Sequence, residues 1–414
     1  MLIRSRIVAP VSREAIEDGA VLIDGNRISA LGRWKDLSTA GGPVVDLGNS
    51  ILLPGLVNAH CHLDYTDMAG FLPPMRFPNW VMGIISCKAE WSYSEYAQSW
   101  IRGARMLART GTTTVADIEA VPELLPEVWT ATPLRVASFL EITCVRRHRE
   151  SREIVHEAAD RMRSLAPPRG FVGLSPHALY STSPPLLELI GEEGRRENWR
   201  MTMHIAESPE EYEMYVDRSG GLFDWLGRQR DMSDCGHGTP VRQLQRCGLL
   251  GENLLAVHAN YLQPADVKLL AQSGASVVHC PRSHSYFGYD PFPYKKLAAA
   301  GVNLCLGTDS LASVNRVHGN KPELNLFAEM ALFSLKNPGV PPWDIIKMAT
   351  VNGAKALGLT GRVGELSPGA FADWIAIPHP GGKTDIGEAI LNHWQDVSAS
   401  MIDGLWVVEP SIAG

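Results

Sequence analysis

The chain of 414 residues lacks several features that would place it at once. Its seven cysteines contain no C-x-x-C pair, and in a chain this long they read as reduced thiols, not as a disulfide framework. Lys and Arg number 38 against 45 Asp and Glu, a formal net charge of −7. That balance argues against nucleic acid as the main partner, because phosphate demands clustered cations. The one dense basic cluster, "RRHR" at 146–149, is short and reads as the solvated start of a helix. No apolar run approaches the roughly 18 residues of a membrane span, and "MLIRSRIVAPVSREAIEDG" has no apolar core of the secretory kind. A cytoplasmic protein with neither nucleic-acid nor membrane partner is the expectation. The H-E-x-x-H helix of zinc proteases is missing, and so is H-x-E followed by P-C-x-x-C, which excludes the cytidine-deaminase pattern.

What is present is organised. With 45% hydrophobic residues the chain can build a large core beside a smaller one. The first fifty or so residues alternate and turn often ("GAVLIDGNRISALG", "GPVVDLGN"), and "GRVGELSPGAFADWIAIP" and "VSASMIDGLWVVEP" repeat that texture at the far end. The two ends are expected to join into one small composite β-sandwich, from residues 1–53 and 361–414. Between them, over 54–360, strand and helix alternate: "LVNAHCH", "TTTVADI", "RVASFLEI", "GFVGLSPHA", "RMTMHIAE", "NLLAVHA", "GASVVHCP" and "GVNLCLGTDS" are the strands. Eight such units of about 35 residues are what a (β/α)₈ TIM barrel requires, so the fold class is α/β.

Each of these strands ends on a polar residue: His60 and His62, Asp117, Glu141, His177, His204, His258, His279 and Asp309. Barrel active sites lie at the C-terminal strand ends, where side chains converge. His60 and His62, one residue apart on a strand, face the same side. His204 from the fifth strand and Asp309 from the eighth can complete a metal set, because strands one and eight adjoin in a closed barrel. A metal pair bridged by a modified lysine would need Lys at the end of strand four, where "LSPHALY" has His177 instead. One divalent ion is therefore expected, with zinc first and iron or manganese suited to the same three histidines and one aspartate.

"PGLVNAHCHLD", "MHIAES", "LAVHANYL", "HCPRSHSYFG" and "LGTDSLAS" resemble the amidohydrolase superfamily, and within it the one-metal aminohydrolases of nucleosides, bases and triazines. The closing "GELSPGAFADWIAI" resembles that family's return into its small sandwich. The resemblance implies that Asp309 both ligates the ion and accepts the proton of the attacking water, that His258 orients that water, and that Glu207 protonates a ring nitrogen of the substrate. His204 and Glu207 are three apart and would face opposite ways in a continued strand, so the chain must turn between them; "ESPEEY" supports a stop there.

For the substrate, the aminodeoxyfutalosine deaminases offer the closest pattern, with Asp64 here for their Glu, Thr66 for their Ser and His284 for their Asn. Phe77 and Trp80 are expected as an aromatic wall, His177 as a further substrate contact and Arg282 as the partner of a carboxylate. Hydrolytic deamination of a 6-aminopurine nucleoside follows, aminodeoxyfutalosine first, with adenosine, 5′-methylthioadenosine and S-adenosylhomocysteine as further choices. The partners are then an aminated heterocycle and water, and a homodimer is the family's usual state. The competing readings are a chlorotriazine or cyclic-amide (imidazolone-type) hydrolase, a pterin or guanine deaminase, and a non-catalytic assembly protein. Ring opening of an amide needs no acid such as Glu207, and a non-catalytic relative tends to lose ligands that are all present here.

Overall fold

The structure, a computed structural model, describes residues 1–145, 149–315, 321–379, 381 and 385–410; most of the "RRHR" cluster, 146–148, lies outside them. Eight parallel strands form its centre: β1 (Leu56–Cys61), β2 (Thr112–Glu119), β3 (Arg135–Ile142), β4 (Gly170–Pro176), β5 (Met201–Ile205), β6 (Leu254–His258), β7 (Ser276–His279) and β8 (Asn303–Leu306). They are hydrogen-bonded in chain order from β1 to β8. The seam closes just beyond β8, where Cys61 bridges to Asp309 and the amides of Thr308 and Asp309 donate to the carbonyl of His60 at 3.0 and 3.1 Å. Gly307 permits this approach: a Cβ there would stand 2.8 Å from the same carbonyl oxygen. The architecture is the expected (β/α)₈ barrel with a separate β domain.

The strands are apolar on both faces because helices cover the outside. The helix Tyr93–Arg109 shows how. Ser92 and Glu95 form a capping box at its start, and Tyr96, Ala97, Trp100, Ala104, Leu107 and Ala108 make one buried stripe.

Strands from both chain ends make the second unit. Leu2–Val8, Ile16–Asp24, Arg27–Arg33, Val44–Asp46 and Ser50–Pro54 join Trp374–Pro378, Ala399–Ile402 and Leu405–Val408 in one eight-stranded sheet. The two ends meet where Ser50–Pro54 pairs antiparallel with Trp374–Pro378. The sheet curls over a core that includes Ile3, Val21, Leu52, Trp374 and Met401, so that Asn26 Nδ2 reaches Asp403 Oδ1 at 2.9 Å. Pro54 ends this sheet and Gly55 admits the chain to the barrel, since a Cβ at Gly55 would lie 2.1 Å from the Thr113 side chain. Among the described residues no helix is long and apolar enough to cross a membrane.

Candidate metal centre and substrate cavity

The first strand delivers its two imidazoles as its alternation requires: the rings of His60 and His62 lie 5.0 Å apart at the barrel mouth. A clamp across the seam fixes their height. Asn58 Nδ2 donates to Thr308 Oγ1 at 2.7 Å, and its Oδ1 accepts from the Thr308 amide at 3.1 Å. Past that clamp Asp309 turns inward with φ 53°. Its Oδ2 accepts from Ser313 Oγ at 3.2 Å, while Oδ1 faces His60 Nε2 at 3.6 Å and His62 Nε2 at 3.8 Å.

His204 enters from β5. Its Nδ1 donates to the carbonyl of His177 at 2.8 Å, which leaves the Nε2 lone pair aimed at the centre, 3.4 Å from His62 Nε2. Two overlapping trios of ligand atoms each fit within 4.8 Å, His60–His204–His258 and His60–His62–Asp309. His60 is fully buried and neither of its ring nitrogens has a hydrogen-bond partner. A buried polar atom left unmet costs about 1–3 kcal/mol, and a cation held between His60 Nε2 and Asp309 would relieve one of the two. Burial, assisted by the neighbouring imidazole of His60, drives the pKa of His62 down to about 3, and burial does the same to His258. His204 is also held well below its usual range by burial and by the surrounding histidines. The rings of His62, His258 and His204 are therefore neutral at pH 7, the form that binds metal. Burial opposes the charge on Asp309, but the His60 side chain that faces it, followed by His258 and His62, holds its pKa well below the usual carboxyl range.

The turn required between His204 and Glu207 is present. β5 stops at Ile205, Ala206 adopts φ 48°, and Ser208 caps the helix Pro209–Asp217. Glu207 thereby faces inward, 3.6 Å from His258 Nε2. Burial above all, with Asp309 and Glu211 adding to it, pushes the Glu207 pKa well above the usual carboxyl range, so the group keeps its proton.

A cavity of about 300 Å³ opens over this cluster, lined by His62, His177, His204, Glu207, His258 and Asp309 on its polar side. Phe77, Trp80, Val81, Ile84 and Ile85, from the helix Phe77–Ala89, form much of its apolar side together with Trp225. Phe77 and Trp80 stack with their centroids 6.3 Å apart. His177 lines the wall, with Nδ1 at 2.7 Å from Ser181 Oγ and Nε2 at 3.8 Å from Glu141 Oε1.

Arg282, expected as the partner of a carboxylate, does not line this cavity. Its Nε bonds buried Glu329, and its Nη1 donates to the carbonyl of Glu323 at 2.9 Å. The guanidinium thus pairs with an internal acid, while its Nη2 has no partner among the described residues. Asp64, Thr66 and His284, the three departures from the aminodeoxyfutalosine pattern, also lie outside the lining.

Among the cavity residues that the sequence reading did not single out, Lys88 and Tyr65 form a polar pair. Lys88 donates to Tyr65 Oη at 2.6 Å and stands 3.8 Å from Glu141 Oε2, and Tyr65 in turn stacks on His62 at 5.0 Å. The signal for Lys88 was its spacing, because Phe77, Val81, Ile84 and Lys88 fall on one helical stripe.

A family model described as the Amidohydrolase family matches residues 51–407. A 5-methylthioadenosine/S-adenosylhomocysteine deaminase of Syntrophobacter fumaroxidans is 30% identical over 380 residues, 87% of this chain and 80% of that protein. Among solved structures, an adenosine deaminase from Xanthomonas campestris with bound zinc superimposes with a TM-score of 0.85 at 23% identity, covering 98% of this chain and 92% of that one. The aminofutalosine deaminase of Helicobacter pylori, solved in complex with methylthio-coformycin, gives 0.84 at 20% identity, covering 98% and 100%. These two structures share the fold. The chain belongs to the amidohydrolase family, in its deaminase branch, and is a hydrolase acting on carbon–nitrogen bonds outside peptides.

Proposed function

We propose that the protein hydrolytically deaminates an adenosine-type nucleoside carrying a 5′ substituent, using one zinc ion held by His60, His62, His204 and Asp309. The observation that carries this reading is the placement, in one cavity, of two buried carboxyl groups, Glu207 with its pKa raised and Asp309 with its pKa lowered. Two carboxyl groups whose surroundings push them in opposite directions are an acid and a base. Zinc, when bound, lowers the pKa of a water ligand from 15.7 towards about 7.

The side chains then divide the proton traffic. Glu207 donates its proton to the ring nitrogen beside the amine-bearing carbon, which makes that carbon electrophilic. His258 accepts a hydrogen bond from the attacking water and fixes its approach. Asp309 takes a proton from that water as its oxygen bonds to carbon. The same proton passes from Asp309 to the amine, the carbon–nitrogen bond breaks and ammonia leaves, while the proton of the new hydroxyl is lost to the Glu207 carboxylate, which leaves a ring carbonyl and restores the acid.

The name of the Syntrophobacter relative supports a 5′-substituted adenosine. With Arg282 committed to Glu329, the carboxylate argument for aminodeoxyfutalosine loses its cation. The test panel therefore runs from 5′-methylthioadenosine and S-adenosylhomocysteine to adenosine and then aminodeoxyfutalosine. Ammonia release and the matching loss of aminopurine absorbance are expected from at least one of the first three. Turnover of triazines or cyclic amides alone would refute the reading.

A further inference from the structure

Glu207 owes its inward direction to a residue in the left-handed region, Ala206, and such a turn has to be held by its surroundings. The loop after β6 supplies much of the restraint. The amides of Asn260 and Tyr261 both donate to the carbonyl of Ala206, at 3.0 and 3.2 Å. The Asn260 side chain then reaches one residue further, and its Nδ2 donates to the carbonyl of Glu207 at 2.8 Å. On the other side, the Glu207 amide donates to Glu211 Oε2 at 2.9 Å. Both peptide groups of the acid are thus gripped by buried side chains.

The orientation of Asn260 is itself set. With Nδ2 committed to a carbonyl, its Oδ1 must accept, and the group 3.1 Å away is Nδ1 of His284. The His284 proton therefore sits on Nδ1. Asn260 is buried, and neither residue lines the cavity. Resting on the reading of Glu207 as the acid, we propose that Asn260, oriented by His284, is a positioning residue that fixes where the Glu207 proton is delivered.

An asparagine at 284 can present an amide Nδ where His284 presents Nδ1, so His284→Asn should keep the hydrogen bond and His284→Ala should lose it. We expect His284→Ala to lower kcat by about 10-fold and Asn260→Ala by about 100-fold, with KM nearly unchanged and metal content intact. His284→Asn should return kcat to within about two-fold of the parent enzyme. Amide hydrogen exchange over residues 205–211 gives a readout that needs no substrate: faster in His284→Ala, restored in His284→Asn. The proposal is overturned if His284→Ala matches the parent in kcat and exchange, if His284→Asn is as impaired as the alanine variant, or if metal is lost together with turnover. Should the parent enzyme deaminate none of the nucleosides, the acid reading of Glu207 fails, and the exchange measurement still decides whether His284 and Asn260 hold this turn.

Discussion

The strand ends β1, β5, β6 and β8 carry the same kinds of side chain as the ends of β2 and β7, yet they are built differently. Within the first set β5, β6 and β8 are left through left-handed, non-glycine residues, Ala206, His258, Ala259 and Asp309, while β1 is left through extended His62. Each such residue costs about 1–3 kcal/mol and persists only where its surroundings impose it. Their polar atoms converge on one point and include the unpartnered nitrogens of His60. In the second set Asp117 is satisfied internally, whereas His279 keeps a buried Nδ1 without a partner among the described residues but lies away from the cluster of ligand atoms. Asp117 accepts from Trp100 Nε1 at 2.7 Å and from the Leu63 amide at 3.0 Å, and His279 is covered by the ring of Phe292 at 3.9 Å. Neither lines the cavity. A polar residue at the end of an apolar strand thus points to chemistry when its ligand atoms converge with those of other strand ends.

Substitutions in the two sets should separate accordingly. The largest effect belongs to His204→Ala and Asp309→Ala, which should lose the bound metal, measured by elemental analysis, and with it all detectable deamination. A parent-like metal content in either variant would move the ion away from these ligands. Next comes Glu207→Gln, expected to keep its metal while kcat falls by about 10²–10⁴-fold. The Glu207 pKa is raised, so the parent's kcat should be retained at low pH and decline as pH rises through that value; the glutamine variant should lack this alkaline limb. In the second class Arg282→Met strands Glu329 in the interior. It should lower unfolding stability by about 3–5 kcal/mol in denaturant titrations while KM stays at the parent value; a large rise in KM would return Arg282 to the substrate. The smallest effect is Trp100→Phe, which deprives Asp117 of one donor and should cost about 1–3 kcal/mol without loss of metal or turnover.

Much of this was legible in the sequence because the signals were periodic or local. Alternation put His60 and His62 on one side, and eight apolar runs spaced by helices implied the barrel that brings Asp309 beside them. The turn between His204 and Glu207 could be demanded from their spacing of three, although its left-handed Ala206 could not be named. The failures concerned partners distant in sequence. Arg282 reads as a free cation until Glu329 arrives from a helix 47 residues away. The Asn58–Thr308 clamp spans 250 residues, and nothing local in either segment announces it. Lys88 is the last member of a helical stripe, but a lysine at the end of a helix reads equally well as a solvated C-terminal charge.

The seam between the first and last barrel strands has a thermodynamic meaning beyond its geometry. His60 and Asp309 lie on opposite sides of the longest closure in the barrel, which ties together points separated by most of the domain. An ion taken up there acts as a clasp, present only in the folded chain. Folding free energy and metal affinity are then one linked quantity, and the midpoint of thermal unfolding should climb with the logarithm of free metal concentration. Chelators would act on this protein as mild denaturants, loosening the barrel first at the seam where its two ends are joined.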